Sequence, residues 1–263
     1  MSTAERTGTR LELLSEDGHA RRALHTKQRV LDAAIKAFAR DGYGGVTVEG
    51  IAKEAGVAPA SLYNHFAGKA GLAQAVAERA LSVHEEYLAS AWELNVSPLE
   101  QLFAAAGATV AFALDQPTLF RAISLSYLSP IGFFPDGTPA AEQIAARRHQ
   151  QLARVTERLE AAISAGELRP LDAPAVARFL VAAWAAVLSL EGTADAGSEP
   201  GRTLTAGIRA IIEGAGTSTT LTRHGRLRTR YEKALAERGF LSPGPHPGQR
   251  RTASAQKASV GKR

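Results

Sequence analysis

The chain has 263 residues, with 31 Lys and Arg against 26 Asp and Glu, a formal net charge of +5 and 45% hydrophobic residues, enough to build a core and to exclude global disorder. It contains no cysteine, which excludes disulfide scaffolds, thiolate zinc sites, iron–sulfur clusters and cysteine nucleophiles. Its longest apolar stretches, Phe103 to Leu114 and Phe179 to Leu190, fall short of the roughly 20 residues of a membrane span. Met1 to Leu14 carries Glu5, Arg6, Arg10 and Glu12 where a secretory signal has an apolar core, so the expectation is a soluble, cytoplasmic protein with no membrane partner.

Residues 1–23 have mixed charge and little apolar period, and read as a flexible arm. From there Val30, Leu31, Ala34, Ile35 and Phe38 draw one apolar stripe on a helix that stops at Asp41-Gly42. Thr47 is placed to cap a short helix whose apolar positions are Val48, Ile51, Ala52 and Ala55, with Glu49 near the positive end of its dipole. Gly56 breaks that helix. Pro59 opens the next, where a missing N–H costs nothing, and it carries Leu62, Tyr63 and Phe66. Two short helices joined at a glycine form a helix-turn-helix over 47–66, within a domain over 24–74.

Beyond Lys69 the pattern predicts helices near 69–93, 98–115, 117–128, 139–166, 173–191 and 200–213, separated by turn residues at Asn95–Pro98, Gln116-Pro117, Ser129–Pro139, Gly166–Pro174 and Gly192–Pro200. No useful alternating strand pattern occurs, so the fold class is all-α. Residues 75–214 form the helical body and residues 215–263 a basic tail read as largely disordered, although Thr222–Gly239 has the pattern of an amphipathic basic helix. Charge divides along the same lines. The body holds 10 basic and 16 acidic residues, the tail 11 and 2, and residues 26–74 hold 6 and 4. An acidic middle with basic ends implies a polyanion touched by the ends.

The order and spacing of Ala33, Ala34, Phe38, Gly42-Tyr43, Thr47, Ile51-Ala52, Ala55-Gly56-Val57, Ser61-Leu62-Tyr63, His65-Phe66, Lys69 and Leu72 resemble the DNA-binding domain of the TetR family of bacterial transcriptional regulators. The resemblance covers about 43 residues; the body is similar only in length and helical character. It implies that Thr47, Pro59, Ala60, Ser61, Tyr63, Asn64, His65 and Lys69 form the DNA-binding surface. Asn64 has the geometry to pair with adenine and Ser61 to reach a base or a phosphate. Tyr63 and His65 would reach the backbone and Lys69 would neutralise a phosphate, while Leu62 and Phe66 face inward. Lys27 and Lys53 lie near the expected phosphate path. Two positions depart from the family pattern: Ala58 stands where a capping serine or threonine is usual, and Ala70 where an acidic residue often follows the lysine.

The resemblance further implies a homodimer on a palindromic double-stranded operator, most often repressing transcription, and a small-molecule effector that releases it. The nearly all-round apolar helix from Ala173 is the candidate dimer element, with Phe179, Val181, Trp184 and Leu188. Candidate lining for an apolar effector comes from Phe103, Phe112, Phe120 and Tyr127, and from Phe134 of the Phe133-Phe134 pair. The same aromatics at helical spacing also fit a plain core. No cofactor or metal is implied, since the seven histidines are scattered and no nucleotide-loop, hydrolase or zincin motif occurs. An enzyme is therefore not expected. The alternative is a nonspecific architectural protein in which tail cations from Arg223 to Arg263 bind any nucleic acid through phosphates.

Overall fold

Proline and small polar caps set where the helices begin. The computed structural model describes residues 3–128, 134–191 and 199–240, with side chains from 21–124, 134–189 and 203–237. These contain α1 (Thr3–Gly45), α2 (Val48–Ala55), α3 (Pro59–Phe66), α4 (Lys69–Trp92), α5 (Pro98–Asp115), α6 (Pro117–Leu128), α7 (Pro139–Ser164), α8 (Ala173–Glu191), α9 (Glu199–Ala215) and α10 (Thr229–Ala234), followed by a π-helical turn, Leu235–Phe240. Among the described residues there is no strand, only two isolated antiparallel bridges, Leu168 with Gly216 and Leu221 with Leu227. No single described helix is long and apolar enough to cross a membrane.

At the start of α5, Ser97 and Glu100 form a reciprocal cap: the Ser97 N–H donates to Glu100 Oε2 at 3.1 Å and the Glu100 N–H to Ser97 Oγ at 3.4 Å. Pro98 occupies the first helical position between them. Asp172 caps α8 by accepting from the Ala175 N–H at 2.9 Å, and Thr138 Oγ1 accepts from the Ala141 N–H at 3.4 Å at α7. From α2 to α9 the predicted helix boundaries agree with the observed ones to within two residues because caps and turn residues are local chemistry.

Two expectations need correction. The flexible arm over 1–23 is helical from Thr3 onward, continuous with α1. Ala, Leu, Glu and Arg dominate that stretch and no proline interrupts it, so backbone propensity carries the helix where the apolar period is absent. The helix does end where the sequence places its stop: Gly42 has φ 69° and ψ 174°, outside helical geometry. The second correction concerns the tail. Residues 216–240 are folded, and helix begins only at Thr229, after a tight turn in which Gly225 takes φ 74° and the Thr222 N–H donates to the Arg226 carbonyl at 2.7 Å. Residues 241–263, the rest of the expected disordered tail, lie outside the described residues.

The chain forms two compact units. One comprises the residues up to Val83 together with Gln116–Gln150, and the other His84–Asp115 together with the chain from Gln151 onward. In the first, α1 packs on α2, α3 and α6, and Val30, Ala34, Phe38, Ile51, Leu62, Leu72, Val76 and Ile123 are buried. The second has a core of Leu99, Phe103, Leu159, Ala162, Ala173, Ala177, Ile208 and Ile212 that is completed by Leu221, Leu227, Tyr231, Ala234 and Leu235.

Residues 216–240 are thus a strap that finishes a core, and polar groups fasten it. Buried Glu167 accepts from the Leu99 N–H at 3.1 Å through Oε2 and from the Tyr231 hydroxyl at 2.6 Å through Oε1, while its backbone carbonyl accepts from the Thr220 hydroxyl. Arg230 donates to Glu100 at 2.6 Å, and Arg209 holds Glu232 through both carboxylate oxygens. The hydrogen bond from Arg209 carries the Glu232 carboxyl below its ordinary value; burial pushes Glu100 up, but the hydrogen bonds from Arg230 and Ser97 outweigh it and leave that carboxyl lowered too.

Burial, reinforced by the hydrogen bond to Glu167, pushes Tyr231 up to about 12, and burial with the bond to Asp115 (3.0 Å) does the same for Tyr87. A raised acid favours the folded state fully below its unfolded value of 10.0 and loses that contribution as pH climbs toward 12. Tyr87 and Tyr231 should therefore titrate late in an ultraviolet tyrosinate titration, with stability falling across the same window. Tyr231→Phe should remove one late-titrating group; late titration of two groups in that variant would contradict the assignment.

Candidate nucleic-acid interface

The surface that presents α3 is built from two tight corners. Thr47 takes extended geometry (φ −114°, ψ 152°), and its Oγ1 accepts from the Gly50 N–H at 3.1 Å, capping α2. At the other end Gly56 enters the left-handed region (φ 65°), its N–H donating to Lys53 and the Val57 N–H to Ala52, so both orphan carbonyls of the last turn are satisfied. The Arg29 guanidinium closes the corner by donating to the Ala55 carbonyl and, at 3.2 Å, to that of Gly56. A Cβ on Gly56 would meet Arg29 Nη2 at 2.7 Å, so glycine here serves both the turn and the approach of α1. Arg29 was not identified from sequence, because its partners are backbone carbonyls 26 and 27 residues away.

Helical spacing divides α3 cleanly. Leu62 and Phe66 are buried, whereas Pro59, Ala60, Tyr63 and Asn64 are exposed, Tyr63 by 52%, and Ser61 and His65 are half-buried at the edges. As the sequence departure foretold, Ala58 makes no side-chain cap and Pro59 alone starts the helix. Among the described residues nothing hydrogen-bonds the side chains of Ser61 or Asn64, which leaves an amide and a hydroxyl for an incoming ligand. The helix ends at Ala67 in the left-handed region (φ 52°), followed by Gly68 (φ 90°), and α4 starts at once with Lys69.

Lys69 Nζ lies 4.5 Å from the Tyr43 ring centroid, and Lys27 Nζ 5.9 Å from that of Phe66. No carboxylate pairs with Lys27, Lys53 or Lys69 among the described residues, while Arg40 pairs with Asp41 and Glu54. The unit that exposes the polar face of α3 thus carries three ammonium groups that pair with no carboxylate among the described residues. Short polar side chains with lysines at the edges suit base edges in a groove with phosphates on either side.

Thr47→Ala is expected to lower stability by about 1 kcal/mol through loss of the cap, a shift of roughly 2–4 °C in a chain of this size. Thr47→Asn, which preserves a capping oxygen, should recover most of it in a thermal melt. Equal melting of both variants with the parent would mean that the cap carries no weight.

The other predicted residues are dispersed. Phe103 sits in the core of the second unit, where Phe112 stacks on His84 (4.9 Å) and meets Tyr87 edge-on (5.6 Å). Phe120 and Phe134 are buried in the first unit, Phe134 against Phe38 and Tyr43. The side chain of Tyr127, and Phe133 altogether, lie outside the described residues. On α8, Phe179 is 61% exposed, Val181 and Trp184 are half-buried and Leu188 is buried.

Residues 30–76 match the family model described as bacterial regulatory proteins, tetR family. Over 177 residues, 67% of this chain and 58% of the relative, the chain is 31% identical to the A-factor receptor protein of Streptomyces griseus. Over 57 residues, 22% of the chain and 27% of the relative, it is 42% identical to the HTH-type transcriptional regulator SrpR of Pseudomonas putida. The chain therefore spans between about a quarter and three-fifths of the length of these relatives. Among solved structures, one described as a gamma-butyrolactone receptor (ArpA-like protein) is similar in fold, with TM-score 0.63 and 24% identity, covering 82% of this chain and 96% of that one.

Proposed function

Because this chain belongs to the TetR family of bacterial regulatory proteins, we propose that it is a transcriptional regulator that binds a palindromic duplex operator as a homodimer through α2, α3 and Lys69, represses transcription and is released by a small effector. The observation that carries the reading is the exposed face of α3, with Asn64 and Tyr63 outward, beside Lys27, Lys53 and Lys69, which pair with no carboxylate among the described residues. Two such helices about one turn of DNA apart, roughly 34–36 Å, would read a palindrome. Phe179 on α8 is the apolar side chain offered to a second copy, together with half-buried Val181 and Trp184. Leu188, the fourth candidate on this helix, is buried in the single chain.

The similarity to the A-factor receptor protein supports a receptor role for the helical body, and an apolar effector fits its aromatic content; Phe103 and Phe112 in one unit, and Phe120, Tyr127 and Phe134 in the other, are two sets of residues to test, each by itself. Release needs the effector to prefer the non-binding conformer by about 1.4 kcal/mol for each tenfold loss of DNA affinity. The test is fluorescence anisotropy on the DNA upstream of the chain's own gene against a scrambled duplex, over a salt series, with and without a synthetic gamma-butyrolactone. A preference of about a thousandfold or more supports the regulator. Equal, steeply salt-dependent binding to both duplexes favours the architectural alternative led by the basic C-terminal residues.

A further inference from the structure

The segment after α6 returns one aromatic ring to the DNA-binding end of the first unit. Phe134 is 2% exposed. Its ring meets Phe38 edge-on with centroids 6.1 Å apart at 80°, and Tyr43 at 6.2 Å and 81°. Phe38 and Tyr43 are themselves stacked, 5.9 Å apart and 5° from parallel. The kink at Gly42 permits this, because it turns the chain out of α1 and brings Tyr43 back over a ring five positions earlier. Tyr43 in turn carries the Lys69 ammonium 4.5 Å from its ring centroid.

We propose that Phe134 is a positioning residue for DNA binding: it fixes the Tyr43 ring, and through it the ammonium of Lys69 at the start of α4. Three rings in mutual edge and face contact leave Tyr43 little freedom, and the attraction of a cation to a ring face is directional only when the ring is held. Lys has four rotatable bonds and a strongly hydrated head, so without the ring it would sample many positions instead of one. Phe134 comes from the only part of the chain after Val83 that belongs to the first unit, Gln116–Gln150. A shift in that segment would therefore be read at a phosphate contact. The inference rests on the proposed DNA-binding role of Lys69 and adds a residue outside the matched span of 30–76.

The test uses the full-length chain and the duplex from upstream of its own gene, and measures affinity between about 50 and 200 mM salt for the parent, Phe134→Leu, Tyr43→Leu, Lys69→Gln and the Phe134→Leu/Lys69→Gln double variant. In a homodimer each substitution removes one phosphate contact per protomer, two in all, which lowers the slope of log affinity against log salt by about 1.8, a roughly twelvefold change over this range. The expected result is that each of the three single variants shows this lower slope and that the double variant shows no further change, the two sites acting as one. Tyr43→Leu removes the ring face directly at a half-buried position, so the prediction holds its meaning if Phe134→Leu folds poorly in a circular dichroism check. A lower slope for Lys69→Gln with the parental slope for folded Phe134→Leu and Tyr43→Leu overturns this inference alone. A parental slope for Lys69→Gln overturns the DNA-binding role of Lys69 and the inference with it.

Discussion

Ending the chain after Ala215 is expected to lower its melting temperature by more than about 10 °C, or to leave the second unit unfolded, whereas ending it after Phe240 should shift melting by no more than about 2 °C. The difference lies in 25 residues that look dispensable by composition. Leu227 is 4% exposed, Tyr231 3% and Leu235 1%, and burying each such side chain stabilises by roughly 1.5–3 kcal/mol. Removing them also strips Glu167, itself 3% exposed, of the Tyr231 hydroxyl and exposes the core faces of Leu99 and Phe103. The combined loss, on the order of 5–9 kcal/mol, is comparable with the entire stability of an ordinary domain, about 5–15 kcal/mol. Thermal melts followed by circular dichroism on the two truncations decide it: similar melting of the 1–215 chain and the parent would show that the strap contributes nothing to the core. The shorter deletion has its own use. It removes Arg250, Arg251, Lys257, Lys262 and Arg263 without touching the strap, so it is the variant in which the salt slope of DNA binding should flatten while site preference persists.

Asn64→Ala is expected to weaken binding to the preferred duplex by roughly 5- to 150-fold, equivalent to about 1–3 kcal/mol for a lost bidentate base contact, with scrambled DNA bound as before. Its melting temperature should stay within about 1 °C of the parent, since Asn64 is exposed and touches no described partner. Leu62→Ala is the control on the other face of the same helix. Leu62 is 0% exposed, so its truncation should cost about 2–5 kcal/mol of stability and remove binding to both duplexes together. The pair separates a contact from a scaffold: loss of affinity for both duplexes in the folded Asn64→Ala variant would mean that α3 does not read bases.

Much of the interface was legible in one dimension. Thr47, Gly56 and Pro59 are local signals: a cap, a left-handed turn and a helix start each depend on residues within a few positions, and all three stand in the structure as the sequence implies. The spacing of Leu62 and Phe66 divides α3 into an inner and an outer face for the same reason. Arg29 escaped notice because it acts on the backbone of another helix. The contacts of Phe134 with Phe38 and Tyr43 were not legible either, because they join residues about ninety positions apart.

The sequence by itself determined an all-helical chain, the boundaries of the helices from α2 to α9 and the polar face of α3, since these follow from periodicity, capping and propensity acting over one or two turns. Only the tertiary structure decided that residues 216–240 belong to a core. Their Arg, Thr and Gly content resembles a solvated tail, but Leu221, Leu227, Tyr231 and Leu235 join the core cluster that holds Leu99 and Phe103, more than a hundred positions earlier. Burial of that kind is a property of which surfaces meet, and no window along the chain contains both.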